Sequence, residues 1–182
     1  VPVELVNLKQ LNIQERAPET GTTFEENALM KARFYFQKSG LPTLVDDGGF
    51  EIDALNDEPG VKSHRWLDPN REAKDEEIIQ YTLKRMENIP PEKRGAQLRL
   101  VLALVTDEKQ EFTVEEKVRG VVAPQPKTRR TPGFPYRALL YLPELNKFYD
   151  ENELTPEESQ TYNHRRRAAE KIKPLIKKYI LA

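Results

Sequence analysis

Apolar positions along the chain follow two rhythms, and these separate helices from strands. Phe24, Ala28, Leu29, Ala32 and Phe36 recur at the spacing that lines one helical face, until Ser39-Gly40 stops the run. Thr23-Phe24-Glu25-Glu26 has the Thr-x-x-Glu form in which side chain and backbone cap each other, so a helix is predicted from about Phe24 to Ser39. Ile78, Ile79, Thr82, Leu83 and Met86 repeat the helical pattern between Arg71 and Asn88. Leu41-Pro42-Thr43-Leu44-Val45 reads as a short buried strand that ends in an acidic, glycine-bearing loop, Asp46-Asp47-Gly48-Gly49. Asn56-Asp57-Glu58-Pro59-Gly60 is a turn by its residue chemistry.

Farther along, Leu98 to Val105 is densely aliphatic, whereas Phe112, Val114 and Val118 alternate with charges. With Thr106 to Gln110 between them, they predict a hairpin of one strand buried on both faces and one half exposed. Pro124, Pro126, Pro132, Pro135 and Pro143 make Val122 to Pro143 mostly ordered loop. Thr155-Pro156-Glu157-Glu158 again has the capping form and opens a basic helix expected to kink at Pro174. Helices alternating with strands favour an α/β fold with a mixed sheet, in one domain over residues 1–182.

Composition narrows the function classes. The 29 Lys+Arg nearly balance the 30 Asp+Glu, which argues against a general nucleic-acid binder. Cysteine is absent, which removes disulfides, thiolate metal sites and cysteine nucleophiles, and fits a reducing compartment or a hot environment. No apolar run approaches the roughly 20 residues of a spanning helix, so a soluble protein of the cytoplasm without a membrane partner is expected. The start at Val1, not Met, suggests a processed or trimmed amino end.

The candidate chemistry begins at Asp46-Asp47. At the end of a strand in an open α/β sheet, where ligands bind, two adjacent carboxylates repel each other unless a cation neutralises them. A magnesium site that recruits phosphates satisfies this, and a solvated Asp-rich turn is the alternative. Glu19 lies just before the first helix and Lys31 two turns into it, where an ammonium could reach a phosphate; taken alone, each reads first as a surface charge. His64 and His164 each precede an arginine, Trp66 reads as a core aromatic, and the cations from Arg165 to Lys178 read as a solvated helix face.

Three runs carry a resemblance to a known family: Glu19-Thr20-Gly21-Thr22-Thr23-Phe24-Glu25-Glu26-Asn27-Ala28-Leu29-Met30-Lys31-Ala32, then Gly40 to Leu55, then Pro59-Gly60-Val61. They resemble the inosine/xanthosine triphosphate pyrophosphatases. Gly133-Phe134-Pro135-Tyr136 is similar to that family's Gly-Phe-Gly-Tyr/Trp-Asp-Pro segment, and Asn163-His164-Arg165 to its Ser-His-Arg. The resemblance implies an elongated mixed β-sheet with flanking helices, two lobes with a central cleft holding the active site, and a homodimer. It implies hydrolysis of non-standard purine nucleoside triphosphates to monophosphate and pyrophosphate, cleansing the nucleotide pool. Glu19 and Asp47 would hold Mg²⁺, with Asp46 as an alternate ligand, and Asp46 or Asp47 would orient the attacking water. Lys31 would contact phosphates, and Phe134 and Tyr136 would sandwich or edge the base. Asn163 stands at the serine position beside His164 and Arg165, which would donate to the six-position oxygen that inosine and xanthine present where adenine presents an amino group.

The chain departs from the family pattern at several positions. The family's amino-terminal strand and Thr/Ser-Gly-Asn-x-x-Lys loop have no counterpart from Val1 to Arg16, where Val3 to Leu8 resembles the strand that follows them. Arg137 stands for an aspartate, Pro135 for a glycine, Ser159 for a lysine and Gly48 for a serine. These substitutions leave two rival expectations. One is a nucleotide-binding relative with impaired turnover or a shifted substrate; the other is a nucleic-acid-associated protein using the basic carboxy-terminal helix.

Overall fold

The computed structural model describes residues 3–107 and 110–181. Among these, four α-helices and six strands alternate in an α/β arrangement: α1 (Phe24–Ser39), β1 (Thr43–Ile52), β2 (Glu58–Pro59), α2 (Asp75–Arg85), β3 (Gly95–Asp107), β4 (Gln110–Val122), β5 (Leu140–Leu142), β6 (Lys147–Phe148), α3 (Pro156–Tyr162) and α4 (His164–Ile180). The sheet order is β2-β1-β3-β4-β5-β6. β1 pairs antiparallel with β2, and β5 pairs antiparallel with both β4 and β6. The single domain expected from the sequence divides into two compact units. Unit 1 holds residues 1–47, 100–116 and 165–182, and unit 2 holds 48–99 and 117–164.

In unit 1, α1 has the expected bounds for the expected reasons. Thr23 accepts from the Glu26 amide, the Glu26 carboxylate answers with the Thr23 amide, and Gly40 closes the helix at φ 68°, which glycine takes without a Cβ clash. Phe24, Ala28 and Ala32, four residues apart, are its buried face. Leu100, Val101, Ala103, Leu104 and Val105 of β3 and Ala168 and Ile172 of α4 are the other buried apolar residues of this unit. Val3 to Leu8 forms no strand, and Val3, Leu5, Val6 and Leu8 are exposed.

Unit 2 has its own core, in which Phe50 and Ile52 join Trp66, Ile78, Ile79, Met86, Val118, Val122, Leu139, Leu140, Leu142 and Tyr149. α2 is shorter than the Arg71–Asn88 pattern suggests. Lys74 in extended backbone is its cap, with its amide held by the Glu77 carboxylate at 2.8 Å, and Ile78, Ile79 and Thr82 face inward. Asn56 and Asp57 both take positive φ, as the turn reading requires. Arg94 ties this unit's loops together: its guanidinium donates to the carbonyls of Met86, Ile89, Val122 and Ala123.

Two local expectations change. The acidic pair does not lie in a loop after a strand, because β1 continues through Asp46-Asp47-Gly48-Gly49 to Ile52. The basic helix opening at Thr155 is two helices, since Asn163 at φ −78°, ψ 90° leaves helical geometry between α3 and α4; Pro174 lies inside α4.

Candidate active site

Extended backbone alternates its side chains between faces, so Asp46 and Asp47 are divided, not paired. Each then meets a different cation. Asp47, 15% exposed, accepts from Lys31 Nζ at 2.6 Å, and the same ammonium is 2.9 Å from Glu19 Oε1. Asp46 is more open and accepts from Arg165 Nη1 at 2.8 Å. Unit 1 thus holds five residues expected to act in two groups, Glu19, Lys31 and Asp47 in one and Asp46 with Arg165 in the other.

Local chemistry explains how Glu19 is held near α1. The Gly21 amide donates to Oδ1 of buried Asn27 at 2.8 Å, folding the preceding loop onto the helix start. A Cβ on Gly21 would lie 2.7 Å from Glu26 Cβ and 2.8 Å from that same Oδ1, so the approach requires glycine. Asn27 had no assigned role in the sequence. A polar residue on the apolar face of a helix was the available signal.

Three carboxylates against two cations leave these residues with a net negative charge. Burial pushes the Asp47 carboxyl above the usual aspartate range despite Lys31, and the neighbouring Glu19 and Asp46 push the same way. Burial also disfavours the Lys31 ammonium, but its bonds to Asp47 and Glu19 prevail and hold it above the usual lysine value. Among the described residues no three His, Cys, Asp or Glu form a ready-made metal cage. What fits a divalent ion is the convergence of Glu19 and Asp47 on one cationic point, with surplus negative charge around it. Magnesium commonly takes one or two carboxylates and completes its shell with water and phosphate oxygens.

In unit 2 the two aromatics of the Gly133-to-Tyr136 segment have different surroundings. Phe134 is 43% exposed. Tyr136 is buried, stacked on Phe50 with ring centroids 4.8 Å apart, and its hydroxyl donates to the Ser63 carbonyl. Burial raises its phenol well above the ordinary tyrosine value. Arg137 is buried as well, bonded to Glu151 at 2.7 Å with its guanidinium 4.0 Å from the Phe134 ring centroid. His164, the first residue of α4, is buried with Nδ1 2.8 Å from the Tyr149 hydroxyl. Asn163 is the extended residue that separates α3 from α4, and Ser159 lies within α3. Glu151 and Tyr149 were not singled out in the sequence. Their contacts are spaced 14 and 15 residues away, at no regular period.

The cations of α4 are partly neutralised, since Arg167 and Lys171 both bond Glu116, at 2.7 and 2.6 Å. His64 and Trp66 belong to unit 2, where Asp75, the residue His64 faces, also accepts from the Gly133 amide. His64 faces Asp75 of α2 at 3.4 Å, and Trp66 packs edge-on against Tyr81.

Comparison with known proteins adds an independent line. The sequence model of the Ham1 family matches residues 1–175. A Mycobacteroides abscessus protein named dITP/XTP pyrophosphatase is 38% identical over 178 residues, which cover 98% of this chain and 84% of the relative. A Thermus thermophilus protein of the same name is 39% identical over 88% of this chain and 73% of its own length. Among solved structures, a HAM1 protein from Coxiella burnetii superposes with a TM-score of 0.82 at 31% identity, over 98% of this chain and 88% of the other. The Staphylococcus aureus Ham1 protein gives 0.80 at 28% identity, over 96% and 86%.

Proposed function

This chain belongs to the Ham1 family, and on that premise we propose that it hydrolyses inosine-, deoxyinosine- and xanthosine-type triphosphates to the monophosphate and pyrophosphate. The single observation that carries this reading is the convergence of Glu19 and Asp47 on Lys31, the three residues whose positions match the pyrophosphatase pattern. Relatives that align with nearly the whole chain bear the name of that activity.

In the proposed reaction a water oxygen forms a bond to the α-phosphorus as the bond to the bridging oxygen breaks, and pyrophosphate leaves with the electron pair. Asp46 or Asp47 orients the water and takes its proton. Lys31 moves its ammonium from carboxylate to phosphate, a charge-assisted exchange that costs little because both partners are anions. Glu19 and Asp47 would hold magnesium, which when bound would neutralise phosphate charge. Phe134 offers ring surface to the base. Arg165 and His164, with Asn163 beside them, donate to its six-position oxygen and leave adenine's amino group facing a donor. Tyr136 contributes from beneath, as part of the core that fixes the Phe134 segment.

The proposed setting is the cytoplasm, and the proposed assembly is a homodimer. No helix among the described residues is long and apolar enough to cross a membrane. Pyrophosphate release from inosine, xanthosine, guanosine and adenosine triphosphates tests the activity. Turnover of the first two well above adenosine triphosphate is expected. Equal turnover of all four, or binding without pyrophosphate release, would replace this reading with an unselective or inactive nucleotide binder.

A further inference from the structure

Arg137 stands where the resembling family pattern has an aspartate, and its surroundings suit a cation. Its side chain is only 8% exposed, and Nη2 donates to Glu151 Oε1 at 2.7 Å. The guanidinium lies over one face of Phe134, 4.0 Å from the ring centroid. The same segment is pinned elsewhere. Gly133, at φ 78°, donates its amide to Asp75 Oδ2 at 2.7 Å, and the Phe134 amide bonds the Thr131 carbonyl. Phe134 itself keeps 43% of its surface open. A phenylalanine this exposed has no packing reason to hold one rotamer, yet here a buried, ion-paired plane supports it from one side.

We propose that Arg137 is a positioning residue for substrate: with Glu151 it clamps the Phe134 ring as a preformed stacking platform, and so sets nucleotide affinity without reading which base is bound. This rests on the reading that Phe134 contacts the base. Stacking tolerates any base because each has a π-face, and Arg137 works from behind the ring with Nη2 committed to Glu151. The contribution is the same in ground and transition states, so its loss raises KM and leaves kcat alone. Lysine cannot replace it, because a point-charge ammonium has no planar group to place over the ring while it donates to the carboxylate.

The test is steady-state pyrophosphate release by the whole chain from inosine, xanthosine and guanosine triphosphates, for Arg137→Met, Arg137→Lys, Phe134→Ala and the Phe134→Ala/Arg137→Met double variant. Loss of a cation–ring contact and of a preset rotamer predicts a KM rise of about 5- to 20-fold in Arg137→Met, equal for the three nucleotides, with kcat within about 2-fold. Arg137→Lys should fail to restore KM, and Arg137→Met should add nothing once Phe134 is alanine. Should the methionine variant not fold, the lysine variant carries the same KM test. A changed preference among the three nucleotides, a kcat loss, or additivity with Phe134→Ala would overturn the proposal. If Phe134→Ala raises KM but the Arg137 variants do not, the clamp alone is wrong. If Phe134→Ala leaves KM unchanged, the base contact itself is wrong and the clamp falls with it.

Discussion

Replacing Lys31 with methionine removes the ammonium that two carboxylates share. Hydrogen bonds to charged partners are worth roughly 1.5–3 kcal/mol each, and Lys31 makes close approaches at 2.6 Å to Asp47 and 2.9 Å to Glu19. Two effects shrink that sum: removing the ammonium also removes its desolvation cost, and Glu19 is 45% exposed, so its share is screened. One effect enlarges it, because largely buried Asp47 is left beside Glu19 and Asp46 without its counter-charge. The net expectation is a loss of about 1–3 kcal/mol near neutral pH. Its pH dependence has a definite sign. The folded-state pKa of Asp47 already lies above 3.8, and losing Lys31 raises it further. The variant is then relieved by protonation: its stability is intact below 3.8 and falls as pH rises through the folded pKa, so the gap from the parent opens over that rise. In the parent, the contribution of Lys31 is in place once its carboxylate partners are ionised, and it is lost as pH rises beyond 10.5 through the higher folded value of the ammonium. Urea midpoints of both proteins across this range measure the gap, and added magnesium should narrow it by taking the vacated place. A gap that is absent near neutral pH, or constant at all pH, would refute the reasoning.

Three other perturbations test separate parts of the account. Asn27→Ala leaves the Gly21 amide without its acceptor, and should lower stability by about 1–2 kcal/mol while raising the magnesium concentration needed for half-maximal turnover through a loosened Glu19; calorimetry and a magnesium titration check the two effects. Arg94→Met removes the guanidinium that four carbonyls of unit 2 share and is expected to cost roughly 3 kcal/mol by urea unfolding, with kcat of the remaining folded protein unchanged. Arg165→Ala should lose about 1–3 kcal/mol of preference for inosine over adenosine triphosphate, read as the ratio of kcat/KM.

Local rules were legible where one helix or turn contains all the partners. The bounds of α1 follow from Thr23, Glu26 and Gly40, and the turn at Asn56-Asp57 from residues that tolerate positive φ. They failed where sheet geometry overrode residue chemistry. Asp46-Asp47-Gly48-Gly49 has turn composition, yet it is part of β1, and the extended backbone parts the two carboxylates that a loop would have kept together. The break at Asn163 was equally hidden, because Thr161, Tyr162, Asn163 and His164 differ little in helix propensity and a lone asparagine is not a strong stop. It makes His164 the first residue of a new helix, with its ring against Tyr149. In the candidate site, Asp47 stood out as part of an acidic pair after an apolar run, Glu19 and Lys31 drew their roles from family resemblance, and both carboxylates contact the Lys31 ammonium in the structure. The Arg137–Glu151 pair and the burial of Tyr136 depend on how β5 and β6 turn back, which no spacing in the sequence reveals.

The most direct test of the central claim is pyrophosphate release from inosine triphosphate by the parent and by Asp47→Asn, with and without magnesium. Asparagine keeps the shape but not the charge that Lys31 and a divalent ion require, so turnover should fall by at least about a hundredfold while the urea midpoint changes little. The parent deprived of magnesium should fall to a similar level. Turnover by Asp47→Asn comparable with the parent, or full parental activity in the presence of a chelator, would contradict the account.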